Sequence, residues 1–424
     1  MMGNRYDKYK DSGIAWIGEI PEHWEVKRLK YFGNNYNGLT YSPNDICSSQ
    51  EGIIVLRSSN IKDNKLCFDD NVYVNKEIPT KLLVNKGDIL ICSRNGSASL
   101  IGKAALIETD IKATFGAFMM IFKGNNICHK YLYYIVTSCI SQYKWLFTTA
   151  TINQLTSSML GEIFAPFICN KLEQQSIAAY LDQKCGEIDE LITLQEEMIT
   201  KLQSYKQSVI TEAVTKGLNK NVPLKDSGIE WIGEIPEHWE VKRLKNVCSQ
   251  INIKENSKRN SLPYIGLENI ESGSGRYIDT ISEIEGMANR FCKNNVLFGK
   301  LRPYLSKVYL AEKDGICSPE FIVYDTKSNN SRFIHKLLLS QPFIDVVNSS
   351  TYGAKMPRAN GEFINNIYVQ IPPLSEQQSI ADYLDQRCSE IDELISIKQQ
   401  KIEKLKEYKK SLIFECVTGK RKVS

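Results

Sequence analysis

From Leu181 onward, apolar residues return every seven positions: Leu181, Ile188, Leu202 and Val209, interrupted by Gln195. A second series runs through Leu191, Met198 and Tyr205. The pattern recurs as Leu384, Ile391, Leu405 and Leu412, interrupted by Lys398, with Leu394 and Tyr408 beside it, while Ile192, Ile199, Ile395 and Ile402 widen each stripe. Such spacing predicts two long helices, each burying one seam against a partner helix. The candidate packing residues are Leu181, Ile188, Leu191 and Leu202 in the first and Leu384, Ile391, Leu394 and Leu405 in the second. Gln195 and Lys398 hold matching heptad positions, where a polar residue can fix register. Asn170 to Glu173 is a possible cap for the first helix, and Ser375 to Gln378 reads as a capping box after Pro372-Pro373. Gly217 and Gly419 fall where C-terminal caps belong.

Outside the helices the period changes. Gly52–Arg57, Asp88–Cys92 and Ala117–Phe122 predict strands, His129–Tyr143 a helix, and polar turns lie between. The turns are Arg57-Ser-Ser-Asn60 and Ser93-Arg-Asn-Gly-Ser97 in the first half, and Glu268–Arg276, Gly299–Tyr304 and Tyr352–Asn360 in the second. Each half is therefore a mixed α/β module. Around the modules the chain repeats itself. Lys10–Lys30 and Lys225–Lys245 agree at 20 of 21 positions, and Glu173–Ile192 and Glu376–Ile395 at 17 of 20. The stretches between, roughly 31–172 and 246–375, are almost unrelated. A fixed frame around divergent modules suits a protein that reads two different things through one geometry.

The 424 residues exceed what one core usually serves. The repeat places domains at 1–172 and 218–375, a spacer helix at 173–217 and another at 376–424. If the second helix returns antiparallel to the first, the molecule has approximate two-fold symmetry. About 40 helical residues at roughly 1.5 Å each make a ruler of about 60 Å. The total charge is only +4, but residues 173–216 and 376–419 together carry −6, so the remaining residues carry +10. Basic modules joined by acidic helices attract a polyanion to the modules. The twelve cysteines are dispersed, with no C-x-x-C and no zinc spacing, as expected for free thiols in a reducing compartment. The first residues lack an apolar signal core and Tyr131–Tyr143 is too short to span a bilayer, so a cytoplasmic protein is expected.

Candidate chemistry is sparse. Asp11 with Glu25-Val-Lys27, and Asp226 with Glu240-Val-Lys242, imitate the D…E-x-K metal site of nucleases. The competing reading is an aromatic clasp, in which Trp16, Trp24, Trp231 and Trp239 pack each module's opening and His23 and His238 belong with them. We favour the clasp, because Pro21 and Pro236 interrupt the metal motif. Gly96–Lys103 is no phosphate loop, since Ala104 replaces the required hydroxyl residue. Pro372-Pro373 is followed by Leu374, not by the aromatic residue that amino-methyl transfer needs. No metal ligands and no catalytic residues are expected. Arg, Lys, Asn and Gln beside flexible turns suit phosphates and base edges. The candidates for DNA contact are Arg57, Asn60, Arg94, Asn95 and Ser97 in the first module. In the second they are Asn269, Arg276, Lys300, Arg302, Tyr304, Lys355 and Arg358.

WIGEIPEHWEVKRLK at the start of each half resembles the specificity subunits of type I restriction–modification enzymes. So do residues 86–106, 296–318, 353–367 and 372–386, which spread the resemblance over essentially the full length. It implies two target-recognition domains, each reading half of a split site in double-stranded DNA, separated by paired antiparallel coiled-coil helices. It also implies two modification subunits and restriction subunits as partners, with S-adenosylmethionine, ATP and Mg2+ used there and no cofactor in this chain. A stand-alone nuclease and a non-DNA scaffold are the other readings.

Overall fold

The computed structural model describes residues 5–147, 153–256, 261–280, 286–353 and 355–423, so Ala354 in the Tyr352–Asn360 turn lies outside it. Two helices dominate, Lys171–Lys216 and Leu374–Val417. The chain divides into two compact units, Met1–Leu194 with Lys401–Ser424, and Gln195–Gln400. Each unit thus holds one module, the start of the long helix that follows it and the closing part of the other. No helix among the described residues is long and apolar enough to cross a membrane.

The two units are built alike. In the first, one four-stranded antiparallel sheet has the order Ala104–Leu106, Ile89–Cys92, Met119–Gly124, Gly33–Asn37. In the second the corresponding order is Val308–Leu310, Val296–Gly299, Phe321–Asp325, Ser249–Ile251. Each unit has a second four-stranded sheet containing one parallel pair, Ile53–Leu56 with Ala113–Phe115 and Tyr264–Ile265 with Gly315–Cys317. The strands expected at 52–57, 88–92 and 117–122 form within a residue or two of those bounds, and the helix expected at 129–143 covers His129–Gln142. Alternating burial drives these elements: Ile89 and Ile91 enter one apolar cluster while Leu90 and Cys92 enter another on the opposite face.

The modules grip the helices through polar joints that repeat. Trp24 is fully buried and its Nε1 donates to Glu173 at 3.0 Å, which also receives Tyr6 Oη at 2.8 Å and His23 Nε2 at 3.1 Å. Trp239 is equally buried and donates to Glu376 at 3.1 Å, with His238 Nε2 2.8 Å away. Burial, and then the hydrogen bond to Glu173, push the Tyr6 phenol well above its ordinary pKa, so it stays a donor. The aromatic clasp is what forms at both openings. Glu25 pairs instead with Lys27 at 2.7 Å, Asp11 accepts from the Gly13 amide, and no cluster able to hold a metal occurs among the described residues. One residue further, buried Gln174 accepts from the Cys128 amide at 2.9 Å and donates to Ile168 O at 2.7 Å. Gln377 does the same with the Asn330 amide and Pro372 O. Asp182 then takes Tyr134 and Lys130, and Asp385 takes Arg332 and Lys336.

Within each unit the helix segments run antiparallel. In the first, Tyr180 meets Arg421 and Asp189 meets Lys409 at 2.6 Å. In the second, Gln195 meets Lys398 at 3.4 Å and Lys206 meets Asp392 at 2.7 Å. Leu181, Ile188, Leu384 and Ile391 are buried and Leu202 and Leu405 half-buried, as the heptad required. Leu191 and Leu394 are not in the seam; they remain 43% and 48% exposed. The second row of the seam runs one residue further on, through Cys185, Ile192, Ile199, Lys206 and Ala213, and through Cys388, Ile395, Ile402, Lys409 and Cys416. Lys206 and Lys409 survive there because a carboxylate across the seam pairs with each, as a nearly buried cation requires.

The helix ends show a second difference. Asn170 caps the first helix by accepting from the Leu172 amide at 2.9 Å. Ser375 makes no box, because Leu374 already opens the second helix and Pro373 O takes the Glu376 and Gln377 amides. Gly217 and Gly419 do close the helices, with φ near +73° and +72°. A Cβ on Gly419 would sit 2.3 Å from the Pro21 ring, so left-handed backbone and crowding both demand glycine.

The seam assignment is testable in one pair of variants. Leu384→Ala should cost about 2–5 kcal/mol in denaturant unfolding. Leu394→Ala should stay within about 0.5 kcal/mol of the parent; equal losses would restore the other stripe.

Candidate nucleic-acid interface

The second strand of each first sheet delivers its chain into the turns singled out above. After Ile89–Cys92 comes the Ser93–Ser97 turn, and after Val296–Gly299 the Lys300–Tyr304 turn. Both are tied down by the same backbone bonds. Ser93 N donates to Phe118 O at 3.0 Å and Leu155 N to Ser93 O at 2.8 Å. Lys300 N donates to Glu320 O at 2.9 Å and Ala359 N to Lys300 O at 3.0 Å. Bridges Arg94–Gln154 and Leu301–Arg358 complete the match. The turn after the strand, the residue opening the neighbouring strand, and a segment from shortly before the module's last strand therefore converge in each module.

The second module gathers most of its candidates there. Lys300, Arg302, Tyr304 and Arg358 lie in the two knitted loops, with exposed Lys355 between Tyr352 and Arg358. Arg302 sits in left-handed backbone, φ 51° and ψ 61°, ahead of Pro303. An L-residue pays roughly 1–2 kcal/mol for that conformation. The exposed Arg302 side chain makes no hydrogen bond or ion pair among the described residues. Arg358 instead donates Nη2 to Glu320 Oε1 at 2.7 Å. In the first module Arg94 is exposed and its guanidinium lies 5.6 Å from the ring centre of Phe118. Asn95 donates to Ser58 Oγ and accepts from the Ser97 amide, and Ser97 shares a hydrogen bond with Ser99.

Other candidates lie elsewhere or inside. Asn60 and Asn269 are buried and their amides hold a turn together. Asn60 Oδ1 accepts from the Arg57 amide at 2.9 Å and its Nδ2 donates to Cys67 O at 3.0 Å. Asn269 Oδ1 accepts from the Gly266 amide at 2.7 Å and its Nδ2 donates to Thr280 Oγ1 at 2.7 Å. Neither amide is presented to a ligand, so both are corrected to structural turn residues. Arg57 folds back on Asp70 at 2.8 Å. Arg276 forks onto Glu271 through Nε and Nη2 at 3.1 and 3.0 Å. Burial pushes Glu271 up, but its bonds from Ser274 and Arg276 outweigh this and hold it below the usual carboxylate range.

Sequence reading missed Phe118, Gln154, Glu320 and Tyr352. Phe118 and Tyr352 are exposed by 61% and 64%, and Phe118 and Glu320 occupy one position in two modules.

A profile of the family "Type I restriction modification DNA specificity domain" matches residues 21–203 and 236–407. The chain belongs to this family. Two relatives from Methanocaldococcus jannaschii are similar end to end. The type I restriction enzyme MjaVIII specificity subunit is 24% identical over 95% of this chain and 94% of its own length. The putative MjaX specificity subunit is 26% identical over 96% of each. A solved chain from a type I restriction–modification system, described for complex assembly and conformational transition, shares the fold with a TM-score of 0.67. That match is 14% identical and covers 94% of this chain and 98% of the other.

If the two asparagines serve the turn, Asn60→Ala should lower stability by about 1–3 kcal/mol, since it strands buried backbone donors and acceptors. Arg302→Ala should leave the melting curve unchanged. Thermal unfolding of both variants decides between a turn residue and a surface contact.

Proposed function

We propose that the chain is the specificity subunit of a type I restriction–modification complex, in which each module reads one half of a split DNA site and partner subunits carry out methylation and cleavage. The observation that carries this is the pair of knitted loops. One backbone arrangement displays different side chains in the two modules, as two readers of different sequences require. Family membership agrees with it. The near-identical frame supports two copies of one modification subunit, because each unit offers the same helix start and the same clasp. S-adenosylmethionine, ATP and Mg2+ would be used by the partners.

Module exchange tests the reading directly. Replacing residues 246–375 with the corresponding module of another family member should change one half of the methylated motif and leave the other half intact. Methylation sequencing of a host carrying the exchanged subunit with its modification partner reads this out. Altered bases in both halves would sink the proposal, and metal-dependent cleavage by the isolated chain would favour the nuclease.

We also propose that the long helices set the unread gap. Inserting four residues near Gln195 adds about 6 Å and roughly one helical turn, with a stutter in the heptad. At about 3.4 Å per base pair along one strand, the gap should lengthen by one or two base pairs while both half-sites keep their sequence. Inserting two or three residues instead rotates the seam and costs stability. An unchanged gap in an active four-residue variant would show that the helices do not measure DNA.

A further inference from the structure

We propose that Arg358, aimed by Glu320, reads a guanine in the half-site of the second module; this rests on the DNA-specificity reading above. The inference starts from a difference among the cations of the two knitted loops. A phosphate accepts from many directions and tolerates a mobile donor, whereas a base edge rewards a donor fixed in place. Arg302 and Lys355 are exposed, and their side chains have no hydrogen bond or ion pair among the described residues. They suit phosphates. Arg358 is held twice. Its backbone pairs with Tyr352 in both directions at 3.2 and 3.4 Å, and its neighbours bond to the other loop through Arg302 N to Pro357 O at 2.7 Å and Ala359 N to Lys300 O at 3.0 Å. Its guanidinium is then anchored on Glu320.

The anchor uses one of five N–H donors, and the side chain is still 47% exposed. The remaining donors can present the two-pronged fork that matches the O6 and N7 acceptors of guanine in the major groove. Glu320 itself needs a reason to be there. A carboxylate at a DNA-facing surface is repelled by phosphates, and its Oε2 is buried with no hydrogen-bond partner among the described residues. Aiming a cation is such a reason. The first module supplies the contrast: Gln154 stands where Arg358 stands and Phe118 where Glu320 stands. Where the position of Arg358 holds no arginine, the position of Glu320 holds no carboxylate either.

A salt bridge that merely stitches two loops would predict a loss of stability and nothing else, so the test reads sequence preference. The full chain is assembled with its modification subunits, and methylated motifs and duplex affinities are measured. Arg358→Gln should relax or switch one guanine of the second half-site, with adenine gaining, and leave the first half-site unchanged. Glu320→Gln should keep the same base but reduce discrimination at that one position. Arg302→Ala should lower the slope of log affinity against log salt by about 0.9 and leave the motif alone. Should Arg358→Gln fail to fold, the parent protein answers instead. Placing 7-deazaguanine, which lacks the N7 acceptor, at one guanine of the second half-site should weaken binding about tenfold or more. A folded Arg358→Gln that keeps the parental motif overturns the inference, as does a second half-site indifferent to every 7-deazaguanine or lacking guanine. A parent complex that recognises no split motif overturns the DNA-specificity reading itself.

Discussion

A buried tryptophan needs an acceptor for its indole N–H. In both halves that acceptor is a glutamate in the first turn of a long helix, Glu173 for Trp24 and Glu376 for Trp239. Much else follows from this joint. It fixes the module's opening strand against the helix start, and the buried glutamine one residue later then takes the backbone amide that leads the module's own helix. Two turns on, an aspartate accepts a cation from that helix. Three acceptors on one helix therefore define a socket. A module fits it by offering an indole, an unpaired amide and a cation at the right places, and everything between those points is free to vary.

That freedom explains what could be read from the chain and what could not. The long helices were legible because Leu181, Ile188, Leu384 and Ile391 announce a heptad. The other row was legible only in part: Ile192, Ile199, Ile395 and Ile402 belong to it, but cysteines, lysines and an alanine complete it while the more conspicuous Leu191 and Leu394 face outward. Lys206 looks like a solvated residue until Asp392 is seen across from it. The socket residues Gln174, Asp182, Gln377 and Asp385 read as an ordinary polar helix face, because their partners lie 46 to 53 positions away.

The interface divides in the same way. Turn composition pointed to the Ser93–Ser97 and Lys300–Tyr304 loops, and each of these loops leaves a buried strand. It failed for Asn60 and Asn269. An asparagine that satisfies a turn from within and one that offers its amide outward have the same composition, and only burial separates them. Phe118, Gln154 and Glu320 were invisible because they join the loops through backbone pairing across the sheet, which leaves no local pattern.

Gln195 and Lys398 stand at one position of the repeat, 203 residues apart, and they face each other. At such a meeting point a helix confronts its own duplicate. Amide against ammonium gives an acceptor beneath a donor. Two second helices drawn from separate molecules would instead set ammonium against ammonium within a few ångströms, and like charges so close are repelled. The difference at this one position thus disfavours pairing between two second helices.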